Sequence, residues 1–313
     1  MRSCVHILVS EQNSRTLNSI SFYFINGVCF CLFQWPGHPK FYPLYRIVAA
    51  LVLTGWAIAD VIYETRTFYN GQTWKWFIFA TNWSFILLAL SGLFQALTTC
   101  LYSFRSHWII NYQYPRSLPI LLKLQWILVN ISCNSAVVVT TSYWCFIALF
   151  DHSPVLVTPM SRVKHTMNTI YVISDLLISG TPIRVLHMFF TVMLGSIYAL
   201  FNAIYFLNDG TVTTGEGGMA VRHYAYNFMD WNKPVEAVIT CVVCVFQSLI
   251  AQVVIFIIFK IRVVIFERVY FGGSSSEVES ELQNIVTESN SYSTMDEKEF
   301  IDTNAPSTHV GVK

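Results

Sequence analysis

Charge is what this chain has least of. Asp, Glu, Lys and Arg make up 12% of its 313 residues, against the roughly 25% usual in a soluble domain. Hydrophobic residues reach 54%, and mean hydropathy is +0.49. A chain so poor in charge is expected to be an integral membrane protein. A net charge of +1 supplies no field for nucleic acid or an acidic partner, so neither is expected. A disulfide framework is lacking as well, because Cys100, Cys133, Cys145, Cys241 and Cys244 lie in apolar runs. Cys241 and Cys244 spell CxxC, but inside a hydrophobic stretch and without a second pair, so they read as packing cysteines. His165 and His187 fit neither HxxxH nor HExxH spacing, and no metal or other cofactor is expected. Inverted repeats are not visible, which disfavours a transporter. Residues 20–35, "ISFYFINGVCFCLFQW", lack a basic lead-in and a small-residue cleavage site, so they read as an interfacial segment and not a signal peptide. Cys29 and Cys31 there offer acyl attachment points without requiring them.

Long apolar runs are abundant. A membrane-crossing helix needs about 20 mostly apolar residues. Six segments qualify, at roughly 44–63, 76–101, 125–150, 164–182, 184–207 and 235–259, the fourth being the least apolar. The expected fold is all-α, a polytopic bundle of six transmembrane helices spanning 41–271. It follows an N-terminal interfacial segment (1–40) and precedes an acidic tail (272–313). In "DHSPVLVTPMSR" two prolines separate the third helix from the fourth. The tail carries eight carboxylates and two lysines and is expected to be disordered. With six crossings, eleven Lys and Arg lie on the side of the termini and six on the other. Both termini are therefore expected in the cytosol, in the plasma membrane or endoplasmic reticulum. Two sequons, at Asn82 and Asn130, fall inside crossings and are expected to carry no glycan.

Polar residues inside these runs carry the functional signal. On a helix, separations of 3, 7, 10 and 14 return to nearly one face. From His165 they reach Asn168, Val172, Asp175 and Ser179; from Thr81 they reach Ser84, Leu88, Ser91 and Gln95. The third helix adds Asn130, Asn134 and Thr141. Polar stripes in hydrocarbon face protein or water rather than lipid, so a shared polar cavity is expected. Thr81 lies about 8 Å along from Trp76, and His165 opens the fourth helix, so the two are expected to meet near the non-cytosolic leaflet. A hydroxyl beside an imidazole is the minimal activated nucleophile, although membrane hydroxyls ordinarily serve as helix–helix contacts. Asp175 lies about 15 Å from His165 along their helix, too far to orient it, and Arg184 or His187 is its expected partner. Asp60 is expected to be solvated near the interface.

Six pieces, in order and spacing, resemble the rolling stone family: "FQW" (33–35), "FATNWSF" (79–85), "SYWCFIALF" (142–150), "KHTMNTIYVISDLLISGTPIRVLHMFF" (164–190), "YALFNAIYFLNDGT" (198–211) and "NFMDWNKP" (227–234). The resemblance covers about 33–271 and implies a role in myoblast fusion. That family is similar in turn to the androgen-induced membrane hydrolases, which cleave fatty-acid esters with an intramembrane Thr and His. Carried over, this implies Thr81 as nucleophile and His165 as base, with Asn82 and Asn168 as oxyanion donors. The chain departs from the Asn-His-x-x-His-Thr pattern at Lys164 and Asn168. Membrane lipids and a fatty-acid ester substrate are the implied partners. The alternative is a non-enzymatic fusion or adhesion protein, which with such short loops would need membrane protein partners or local lipid effects.

Overall fold

The computed structural model describes residues 31, 33, 35, 41–105, 119–150, 154–213 and 221–271. The tail from 272, and residues 1–40 apart from Cys31, Phe33 and Trp35, lie outside them, as does Cys29. The chain divides into two units, 1–263 and 264–313, and of the second only the final turns of the last helix are described.

Six helices dominate: α1 Tyr42–Thr67, α2 Ala80–Arg105, α3 Ile120–Ser142, α4 Pro159–Ile178, α5 Met188–Leu207 and α6 Pro234–Phe271. Their ends follow local chemistry. α1 stops where Asn70 and Gly71 adopt left-handed backbone, with φ of 47° and 79°, a region glycine and asparagine tolerate best. A 3₁₀ segment, Thr73–Ile78, then leads into α2. α3 runs on through a wider π turn at Tyr143–Ile147. The two expected helix-breaking prolines sit at helix starts: Pro154 opens a single turn, and Pro159 opens α4. The first helical turn has no use for the missing N–H. Thr158 caps α4 by accepting from the Ser161 N–H at 3.0 Å. Between α5 and α6 a two-stranded ribbon pairs β1 (Val212–Thr213) with β2 (Val221–Arg222).

Five of the six helical stretches are long and apolar enough to cross a membrane; α4 is not. Its faces explain the difference. Ser161, Lys164, His165, Asn168 and Asp175 are buried, while Val163, Met167, Ile170, Ile173 and Leu177 are exposed. Its polar side meets protein and its apolar side points outward, the reverse of a soluble amphipathic helix.

Small residues bring α1 and α2 close. A Cβ at Gly92 would lie 3.1 Å from Leu53 Cδ1 and 3.6 Å from Ala50 Cα. One apolar cluster gathers Leu53, Leu88, Val129, Ala136, Val172, Leu176 and Ile255 from five helices. An aromatic one joins Phe68, Tyr69, Trp76, Tyr143, Tyr198 and Tyr226. Cys31 is buried beside Leu122 and Trp126, so its thiol is not displayed for acylation.

Candidate functional site

A buried charge cluster ties α1, α2 and α4 at the Thr67 end of α1. Lys164 Nζ donates to Asp60 Oδ2 and Glu64 Oε1, each at 2.8 Å, and to Asn82 Oδ1 at 2.9 Å. An ammonium has three donors, and all three are used. Asp60 Oδ2 also accepts from the Trp76 indole at 2.9 Å, and Glu64 Oε2 from the Tyr69 hydroxyl at 2.8 Å. Asp60 is fully buried, contrary to the expected solvation, because Lys164 reaches it from α4. Buried charges persist where they are paired and hydrogen-bonded.

At the opposite end of α1, Arg46 Nη1 lies 2.5 Å from Asp175 Oδ1, and Tyr45 OH donates to the same oxygen at 3.0 Å. The expected partners of Asp175, Arg184 and His187, lie past the end of α4 against Trp126 instead. α1 and α4 run antiparallel, so the end of one faces the start of the other, and Asp175 meets Arg46. Arg262 of α6 closes α4 by donating to the carbonyls of Leu176 at 2.7 Å, Ser179, and Thr181 at 3.3 Å. A cation there also suits the negative end of the helix dipole.

α2 and α4 meet at the expected level, but through Asn82 and Lys164, each one position from the proposed dyad. One residue is a turn of about 100°, enough to send the dyad members apart. Thr81 Oγ1 lies 3.4 Å from Tyr226 OH. The His165 ring stacks on Tyr143, centroids 4.0 Å apart, and its Nδ1 has no partner. Its carbonyl accepts from Thr140. No hydrogen bond joins Thr81 to His165. Of the other stripe residues, Ser84 donates to Ser135 at 3.1 Å, and Asn130 donates to its own helix at Trp126 O, 2.8 Å away. Asn134 joins α3 to Ser248 O at 3.0 Å and to Gln252 Oε1 at 2.8 Å on α6. Asn168 Nδ2 is buried without a partner.

Thr81 lines a chamber of about 360 Å³ between α2, α3, α5 and α6, closed by the loop before α6. Ser84, Ser135, Thr191, Ser248 and Tyr226 add hydroxyls to a largely aliphatic and aromatic wall. Tyr226 is fully buried, which pushes its phenol up, while the Thr81 hydroxyl beside it pulls the other way. No His, Asp, Glu, Lys or Arg is among the residues lining it. The wall can hold an uncharged, mostly apolar guest of small-ligand size, with hydroxyls to orient it. Among the described residues no group of three His, Cys, Asp or Glu is placed to hold a metal. Of the α2 stripe Thr81 and Ser84 line this chamber, whereas no residue of the α4 stripe does; sequence periodicity joins the two stripes in one cavity. It missed Tyr226, which sits in a loop without period, and Gly195, which opens the α5 wall and has nothing within 4 Å of its would-be Cβ.

Apolar helices of membrane-crossing length, with charges sequestered between them, define a multi-pass α-helical membrane protein. The family model described as Protein rolling stone matches residues 14–278. The chain is also 31% identical, over 232 residues, to Protein rolling stone of Drosophila melanogaster, a match covering 71% of this chain and 78% of that protein. The chain belongs to the rolling stone family. No solved structure matches it.

Proposed function

We propose that this protein acts in cell fusion as a six-crossing membrane protein whose chamber holds a lipid chain, without hydrolysis by Thr81 and His165. The fusion role is the one its family resemblance implies. The carrying observation is the chamber's chemistry: hydroxyls and apolar walls, with no His, Asp, Glu, Lys or Arg lining it to serve Thr81 as a base. His165 is spent on stacking with Tyr143. The sixth crossing is α4. Its 20 residues rise about 30 Å, the thickness of the hydrocarbon. Ion pairs at both its ends match it to the antiparallel α1. The excess of Lys and Arg on the side of the termini then puts both in the cytosol, and a fusion role puts the protein in the plasma membrane.

The test fills the chamber. Gly195→Trp has room on its helix and should displace co-purifying lipid and abolish fusion in a cell-fusion assay, whereas Thr81→Ala and His165→Ala should both fuse as wild type. Fusion intact in Gly195→Trp would refute the lipid-chamber reading. A second reading, ester hydrolysis, is favoured by one observation: the Thr81 hydroxyl stands on the chamber wall, 3.4 Å from the Tyr226 phenol. It requires fluorophosphonate labelling of the wild type that disappears in Thr81→Ala. Equal labelling of the two decides for the non-enzymatic reading.

A further inference from the structure

A second cavity, about 610 Å³, lies between α1 and α4 and shares no lining residue with the chamber. Its wall is mostly aliphatic and aromatic, and Val48, Val52 and Ile170 are exposed along it, so it opens on the outward, apolar face of both helices. Three polar groups on this wall break the pattern. The Trp56 indole N–H, the Asn168 side-chain nitrogen and the Tyr171 hydroxyl are sealed from solvent and have no hydrogen-bond partner. The neighbouring polar groups are already committed, Tyr45 and Arg46 both to Asp175.

Depth makes these groups informative. Asn168 lies about 14 Å from the start of α4 and about 15 Å from its end. Trp56 lies about 21 Å and about 16 Å from the two ends of α1. In the six-crossing reading all three groups sit near the middle of the bilayer. No water is available there, and an unmet donor in hydrocarbon costs free energy that a partner would recover. The indole N–H can only donate, so whatever completes the site must bring an acceptor.

We propose that this groove binds an uncharged, carbonyl-bearing lipid whose ester oxygen lies at mid-bilayer. The ester carbonyl displaces the side chains that seal these groups and accepts from Trp56 and Tyr171, with the Asn168 amide beside it, and the chains lie along Val48, Val52 and Ile170. No unpaired cation lines the groove, so nothing there selects a charged head group. The depth suits a neutral ester lipid lying between the leaflets, not a phospholipid whose polar groups stay at the interface. The proposal takes the depth of α4 from the six-crossing reading and is independent of the chamber.

The experiment uses the full chain in phosphatidylcholine vesicles. Two photoactivatable probes at equal mole fraction are compared, a triacylglycerol and a hydrocarbon of matching chain length, both bearing a diazirine. The triacylglycerol should label the peptides containing Trp56 and Asn168–Tyr171 several-fold more than the hydrocarbon. Tyr171→Phe keeps its ring and Trp56→Phe keeps an aromatic side chain, each removes one donor, and each should weaken that preference roughly fivefold. Asn168→Leu gives an independent variant should either ring substitution fail to fold. Equal labelling by both probes, or a preference untouched by the variants, would overturn carbonyl recognition. Labelling of α4 by neither probe would overturn the depth on which it stands. Crosslinks joining two copies at these peptides would assign the groove to a helix and overturn the lipid.

Discussion

Lys164 holds two buried carboxylates at once, and Lys164→Met measures what that pairing contributes. Methionine keeps the length and the apolar stem but removes three hydrogen bonds, two at 2.8 Å and one at 2.9 Å. Two buried carboxylates, Asp60 and Glu64, then face each other with no cation between them. Removing one partner from a buried ion pair costs about 3–5 kcal/mol. Protonating a carboxyl of ordinary affinity at pH 7 costs about 4 kcal/mol, at 1.36 kcal/mol per unit. The two routes agree, so the expected loss is about 4 kcal/mol at pH 7. For a domain of this size that is about 8–16 °C in Tm, readable from the protein's nine tryptophans by scanning fluorescence in detergent. Because the variant must take up one more proton than the wild type to fold, its deficit should shrink by about 1.4 kcal/mol per pH unit below 7. The triple variant Lys164→Met, Asp60→Asn, Glu64→Gln removes the charges while keeping acceptors for Trp76 and Tyr69, and should recover most of the loss. A single variant within about 1 kcal/mol of wild type, or no better stability in the triple, would refute the claim that pairing is what lets these charges be buried.

Four further outcomes follow from the same geometry. Arg46→Gln strands Asp175 at the other end of α1 and should cost about 3–5 kcal/mol, with Asp175→Asn added to it restoring much of the Tm. Gly92→Leu drives a side chain into Leu53 and Ala50 and should lower stability by about 1–3 kcal/mol, measured by the same melt. Burial raises the phenols of Tyr226 and Tyr69, so their contribution to stability is fully present below the unfolded tyrosine value of about 10 and is lost as pH rises past it. Tyr226→Phe with Tyr69→Phe should flatten that alkaline loss in a pH series of melts. Asn82 and Asn130 are both buried, so glycosidase treatment should leave the gel mobility of the Asn82→Gln, Asn130→Gln double variant and of the wild type identical.

Helix periodicity carries information about one helix at a time, and this chain shows where that suffices. Counting from His165 found the side of α4 that is buried at Asn168, Val172, Asp175 and Ser179, because a side chain's face is fixed by its position on its own helix. It did not find who stands opposite. Whether Thr81 or Asn82 points at α4 depends on the rotation of α2, which is set by the approach at Gly92 and by the aromatic cluster below it. An error of one residue there is about 100°, and it exchanges a nucleophile–base pair for a lysine–carboxylate clamp. The same logic explains why α4 falls short of the apolar threshold that the other five helices pass. Mean hydropathy adds up residues without regard to face. A helix whose charges are neutralised by its neighbours therefore scores as polar, though the side it shows the outside is mostly apolar, with Val163, Met167, Ile170, Ile173 and Leu177 around Ser174. Its place in the bundle is thus a property of Asp60, Glu64 and Arg46 on α1 as much as of its own sequence, and removing those three should expel α4 from the bundle even though not one residue of α4 has changed.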